Sequence, residues 1–256
     1  MKKTFIYSIL FAFIFLAGCT KDEVRLDGTS LTTVHAVCGM AMLKTNFKGT
    51  EPIGYENATL IRYGIYLPND NQHGLSAGAH RLGLFEMPDT LPDSKPRFLV
   101  DLNLEMGSIN TLYLLGTKGK TETLLRSEQI PYYAPIDSVM GLRFANLSSS
   151  KPPVVINIHR GDRKELYEQG KVLEYKDITA FQRYPISSEA PSSYTIEFRH
   201  ANTGESLASY TIEHAMGAGT SSEPNRWIYR NFTIALIGGV LSDGCSSSYE
   251  VMLVRY

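Results

Sequence analysis

Gly74-Leu75-Ser76-Ala77-Gly78 spells the GxSxG pattern in which a serine hydroxyl can become a nucleophile. That chemistry needs a strand that turns sharply into a helix, so that the hydroxyl stands exposed. Here the pattern runs into Ala79-His80-Arg81-Leu82-Gly83-Leu84-Phe85, an alternating strand-like stretch, so a polar turn before a hairpin strand is the expectation. His35, His73, His80, His159, His200 and His214 are scattered without HExxH or any other ligand spacing. Only His200 and His214 could flank one hairpin and approach each other. Asn69-Asp70-Asn71 is oxygen-rich but lacks the remaining positions of a calcium loop. Asp162, Glu165 and Glu168 share a charged segment; a carboxylate pair could cleave a glycosidic bond if a cleft held the sugar, but a solvated face is the plainer reading. Arg160-Gly161-Asp162 is an integrin-type tripeptide at a place where a hairpin turn favours Gly and Asp for backbone reasons. Gly217-Ala218-Gly219 precedes no helix and reads as a loop, not a phosphate cradle. These spacings call for no metal and no cofactor, and the chain reads as a non-enzyme.

Aromatic rings offer a different chemistry, the stacking of sugars. Trp227 is the only tryptophan, and Tyr229 would share its face at the two-residue period of a strand. Tyr132 and Tyr133 lie near the middle of the chain. Packing in a core or between domains is the first expectation for all four, and glycan stacking by Trp227 and Tyr229 the second.

The residue with the most definite chemistry is Cys19. Met1-Lys2-Lys3 is a short positive start, Thr4 to Phe15 is apolar and uncharged, and Leu16-Ala17-Gly18-Cys19 follows. The apolar run is shorter than the roughly 20 residues a membrane-spanning helix needs, and its flanks are those of a secretory signal. Leu16, Ala17, Gly18 and Cys19 resemble the lipobox of bacterial lipoproteins. That resemblance implies cleavage before Cys19 and acylation of its thiol, by palmitate or a similar chain. Several acyl chains on one residue make a stable anchor, at about 0.8 kcal/mol per buried methylene. Lys21, Asp22 and Glu23 directly behind it resemble the surface-export signal of Bacteroidetes lipoproteins, which implies an outer-membrane anchor and a body facing the cell exterior. Asp89-Thr90-Leu91 and Asp137-Ser138-Val139 resemble the acceptor tripeptide of Bacteroidetes protein O-glycosylation, with Thr90 and Ser138 as acceptors.

The net charge of the whole chain is −1, and a cleaved signal would take Lys2 and Lys3 with it. A slightly acidic body argues against nucleic-acid binding, which needs a basic face. Cys38 and Cys245 are the remaining cysteines. A disulfide between them would have to cross from one half of the chain to the other, so two buried or unpaired thiols are the expectation.

The elements that must position any site read as strands. Leu31 to Cys38, Thr59 to Leu67, His80 to Glu86, Arg97 to Leu104, Asn110 to Gly116 and Thr121 to Arg126 are short β-branched, aromatic or Leu-rich runs. The pattern resumes with Gly141 to Leu147, Pro153 to His159, Ser193 to Arg199, Ser206 to Glu213, Trp227 to Ile237 and Ser248 to Tyr256. Lys164 to Tyr175 is the one helix candidate, weakened by Gly170. The chain also repeats itself. Thr33-Val34-His35-Ala36-Val37 aligns with Arg143-Phe144-Ala145-Asn146-Leu147, Leu75 to Phe85 with Ile186 to Ile196, and Asn110 to Gly116 with Phe232 to Gly238. The expectation is a signal over 1–18, a lipidated tether over 19–30, and two domains over 31–134 and 135–256. The strings Val34-His35-Ala36-Val37, Arg143-Phe144-Ala145-Asn146-Leu147-Ser148 and Tyr194-Thr195-Ile196-Glu197-Phe198 resemble domain-of-unknown-function family 4397. The resemblance covers most of 31–256 and implies extracytoplasmic immunoglobulin-like β-sandwiches in tandem, with no catalytic residues to carry over. Together these readings give an all-β, lipid-anchored surface protein that binds a protein or glycan partner as a structural or adhesive accessory. The alternatives are a carbohydrate-binding component of an outer-membrane polysaccharide-uptake system and a fimbrial subunit.

Overall fold

The regularly spaced strand signals fold as strands in this computed structural model, which describes residues 28–47, 58–91, 93–161, 165–187, 190–217, 219–220, 224–240 and 245–256. Leu16, Ala17, Gly18, Cys19, Lys21, Asp22, Glu23 and Asp162 lie outside the described residues. The first half holds β1 (Gly28–His35), β2 (Met42–Asn46), β3 (Leu60–Arg62), β4 (Gln72–Ser76), β5 (Gly78–Glu86), β6 (Phe98–Leu104), β7 (Ile109–Gly116) and β8 (Thr121–Glu128). The second holds β9 (Val139–Asn146), β10 (Val154–Arg160), β11 (Glu165–Gln169), β12 (Gln182–Pro185), β13 (Tyr194–His200), β14 (Ser206–Ile212), β15 (Asn231–Val240) and β16 (Ser246–Arg255).

Each half folds as two sheets with the same strand order. The first half forms β4-β1-β7-β8 and β3-β2-β5-β6; the second forms β12-β9-β15-β16 and β11-β10-β13-β14. The pairs β1–β7 and β9–β15 are parallel. Register corrects the repeat by one residue. Thr33 pairs with Leu112 and Phe144 with Ile234, so Thr33 corresponds to Phe144 and not to Arg143. A slip of one residue exchanges the faces of a strand. With the corrected register Val34 and Ala36 fall on Ala145 and Leu147, and all four point into one core.

Burial explains why some strands read as unbroken apolar runs. Each sandwich closes over its own core, around Leu31, Leu43, Leu84 and Leu112 in the first and Leu142, Ile156, Phe198 and Ile234 in the second. A third core lies between the sandwiches, where Val34, Ala36, Tyr113 and Leu115 meet Ala145, Leu147, Ala235, Ile237, Met252 and Val254. The two inner sheets are thus covered on both faces, and every residue of β7 after Ile109 and of β9 after Val139 is buried. Such strands lose the alternation of half-exposed ones. The outer strands β10 and β13 keep it. At about 1.5–3 kcal/mol per large apolar side chain, this seam resembles the interior of a domain more than the polar contact common between domains.

Three expectations change. Cys38 and Cys245 are not free thiols: they form a disulfide across the seam, with Cα atoms 5.4 Å apart, because stacking the inner sheets brings the ends of β1 and β16 together. The helix candidate is a strand, β11, followed by a loop. Its local helical preference yields to the free edge of β10, with which β11 pairs and to which Gly170 adds an N–H bond at Ile156 O (2.8 Å). Finally β1 starts at Gly28, before the expected Leu31, and Thr29 hydrogen-bonds Ser108.

Burial also sets a pH response. His35 is fully buried, its Nδ1 accepting from Val37 N–H, and desolvation lowers its pKa to about 4. Half-buried His73 is lowered to about 4 by the same cause. Both are neutral in the folded chain at pH values where the unfolded chain already takes up a proton. Stability therefore falls as pH drops from about 6.5 to about 4, by on the order of 1 kcal/mol per pH unit for His35. Urea unfolding at pH 7 and pH 5 should show this loss. His35→Leu should flatten it, and an unchanged slope in that variant would contradict the assignment.

Candidate functional site

The seam holds a dense constellation of buried polar groups. β9 carries Arg143 between Leu142 and Phe144, and its parity points it away from the second core, toward the first sandwich. There Glu128, the last residue of β8, takes both arms of the guanidinium: Nη1 donates to Oε2 at 2.5 Å and Nη2 to Oε1 at 2.8 Å. Nε donates to Thr233 Oγ1 at 2.7 Å, and Nη2 also reaches the hydroxyls of Tyr256 (2.7 Å) and Tyr113 (3.1 Å). The Phe181 and Tyr256 rings lie 4.5 and 5.0 Å from the guanidinium carbon. The side chains of Arg143 and Glu128 are 3% and 2% exposed. Burial works against the charge of Arg143, but the bonds to Glu128 outweigh it and hold its pKa above the ordinary value. Burial pushes the Tyr113 hydroxyl up as well. A charge pair this dry is stable only when its bonds are made internally, as these are. The arrangement locks two sheets together and presents no open position to a substrate.

Other ties surround it. Glu122 of β8 bonds Lys176 and Lys151 of the second half, and those hydrogen bonds hold its carboxyl below the usual range. Tyr66 donates its hydroxyl to Arg255 O at 2.6 Å. The disulfide adds a covalent tie.

A cavity of about 520 Å³ opens at the edge of the second sandwich, beside β11 and β12. Phe144, Ile156, Ile158 and Leu173 form its apolar walls, with Glu168, Lys171 and Gln182 at polar positions. Glu168 accepts from the buried Tyr184 hydroxyl at 3.0 Å and is the one carboxylate among the described lining residues. Paired-carboxylate chemistry needs two.

The remaining candidates disperse. Ser76 ends β4, and after Ala77 the chain enters β5 through Gly78 at φ 113°, so GxSxG is a strand-to-strand turn with no helix behind the serine. His200 pairs with Val154 at one end of β13, whereas His214 follows β14 at the opposite end, beyond the Tyr194–Ile212 pair, so the two do not meet. Asp70 pairs with Arg62, and Asn71 bonds Thr33 O and Leu67 N–H, so this oxygen-rich turn is spent internally. Arg160 stacks on Tyr167 beside Gly161. Thr90 lies in the loop between β5 and β6, and Ser138, half-buried at φ 44°, precedes β9.

Trp227 cannot stack a sugar. It is 1% exposed, packs on Phe232 with ring centroids 4.9 Å apart, and donates Nε1–H to Glu213 O. Tyr229 does not share its face, because strand β15 begins only at Asn231 and Tyr229 sits in a turn at φ 59° with its hydroxyl bonded to Pro135 O. Tyr133 is buried, as expected; Tyr132 is 83% exposed and packs in no core. No motif or ligand spacing marks Arg143 and Glu128, although one arginine inside the run Gly141-Leu142-Arg143-Phe144-Ala145 is itself the signal of a buried charge.

No family model matches this chain, and no curated protein matches it. Among solved structures, the Bacillus anthracis TIE protein is similar over 74% of this chain and 31% of its own, at 11% identity and a TM-score of 0.22. The chain spans about a third of that protein's length, and a likeness so slight carries no conclusion about fold or role.

Proposed function

We propose that this chain is a non-catalytic surface lipoprotein, anchored through Cys19, whose two sandwiches present one rigid body to a protein or glycan partner. The seam is the observation that carries the reading. Its most chemically equipped group, Arg143, spends its hydrogen bonds on Glu128, Thr233, Tyr113 and Tyr256 and so joins two domains. A protein held away from a membrane gains from such stiffness, because a partner's binding energy is not spent on ordering the domains. Leu16-Ala17-Gly18-Cys19 supports the anchor and Lys21-Asp22-Glu23 supports the outward face.

The anchor has a direct test. Cys19→Ala should abolish metabolic labelling by a fatty-acid probe and leave unprocessed precursor, whereas the unaltered chain is labelled. Continued labelling of the variant would overturn this part of the reading. The partner is sought by crosslinking on intact cells, with chain lacking the anchor as the control.

A further inference from the structure

Six described arginines are ion-paired: Arg62 with Asp70, Arg81 with Asp101, Arg97 with Glu86, Arg143 with Glu128, Arg183 with Asp137 and Arg199 with Glu197. Arg226, Arg230 and Arg255 have no such partner among the described residues, and all three line one small pocket. It has a volume of about 220 Å³ and lies where the turn before β15 meets the end of β16, with Tyr66 and Pro68 of the first sandwich closing its side. Register brings Arg255 opposite Phe232, and the Arg230 guanidinium donates to Arg226 O at 3.1 Å. The Arg226 guanidinium carbon lies 4.6 Å from the Trp227 ring centroid. Leu253 and Pro68 supply apolar surface, and no carboxylate is among the described lining residues.

Three arginines line this pocket with no carboxylate among its described lining residues, and on a chain of net charge −1 they are not a by-product of overall basicity. Guanidinium forks match the oxygens of carboxylate, sulfate and phosphate groups. Drug-sized ligands fill pockets of about 300–1,000 Å³, so this smaller one suits a single charged unit. Apolar walls beside the charges match a sugar ring, which offers a C–H face next to its substituents; an acidic peptide would place a flexible chain there at a cost in ordering. We infer that Arg226, Arg230 and Arg255 form a site for an anionic sugar unit, a uronate or a sulfated residue, at the junction of the two sandwiches. The inference rests on the ligand-binding part of the reading above and is independent of the anchor.

The test is titration calorimetry on the full chain in detergent, with an oligogalacturonate, a sulfated oligosaccharide, a neutral oligosaccharide of equal length and hexaglutamate as probes. One of the two anionic saccharides should bind, and which one does distinguishes uronate from sulfate. R230E and R255E should each weaken it by roughly tenfold or more, the value of one charge-assisted contact. R126E, which makes the same charge change at an unpaired arginine outside the pocket, should leave it unchanged. R230E and R255E alter exposed side chains and R126E a half-buried one, and unaltered melting curves verify the folding of all three. The site is overturned if neither anionic saccharide binds, if R126E weakens binding as much as R230E, or if hexaglutamate binds more tightly than either saccharide. Capture of a cell-surface partner by a chain that ignores these saccharides would refute the pocket and leave the binding role standing.

Discussion

Glu128→Leu will destabilise the protein by about 3–5 kcal/mol, the usual cost of stripping one partner from a buried ion pair. The size follows from the 3% and 2% exposure of the Arg143 and Glu128 side chains, which leaves the surviving charge with no water to turn to. Arg143→Met should cost about as much, because it strands the Glu128 carboxylate and removes the donors to Thr233 and Tyr256. The double variant should recover most of the loss, since an apolar pair of similar volume is often as stable as a buried salt bridge. Urea unfolding of the four chains gives the coupling energy directly. A Glu128→Leu chain within about 1 kcal/mol of the unaltered one would mean that the pair is solvated and does not lock the seam.

Reduction of Cys38–Cys245 will lower stability by about 5 kcal/mol on the loop-entropy relation, because the bridge closes a separation of 207 residues. The bridge spans nearly all of both sandwiches, so its loss should make denaturation of the whole chain easier and not only of one half. Denaturation midpoints with and without a strong reductant, and of the C38A/C245A chain, provide the measurement. Identical midpoints would show that the bridge contributes nothing.

These two features were the hardest to read from sequence, for physical reasons. A disulfide depends on where two distant strand ends arrive, and only the stacking of inner sheets brings Cys38 to Cys245. The seam itself had a legible trace. Outer strands such as Tyr194–His200 alternate, as half-exposed strands must, while Ile109–Gly116 and Val139–Asn146 do not. Unbroken apolar runs in a sandwich mean that a second layer covers the outer face. Short strands without apolar weight, such as Gln72–Ser76 and Gln182–Pro185, escaped because their pairing with β1 and β9 comes from the neighbour and not from their own residues. The helical pattern over 164–175 misled in the same way. Equivalence of the halves was visible in Asn110 to Gly116 and Phe232 to Gly238, whose closing glycines share a positive φ of 88° and 77°. The face each β1 residue takes required the observed register.

The arginine pocket was illegible for another reason. Arg226, Arg230 and Arg255 are separated in sequence, and ordinary surface arginines look the same until their neighbours are known. What distinguishes them is a shared pocket with no carboxylate among its described lining residues.

If the seam makes two sandwiches one body, they unfold together, and the single tryptophan allows this to be measured. Trp227 sits in the core of the second sandwich, so its fluorescence reports that half alone, whereas far-ultraviolet circular dichroism reports the strands of both. Urea denaturation followed by both signals on the oxidised full chain should give coincident single transitions, the mark of one cooperative unit. A dichroism curve in two steps, with fluorescence tracking only one of them, would show that the sandwiches unfold separately and would contradict the claim.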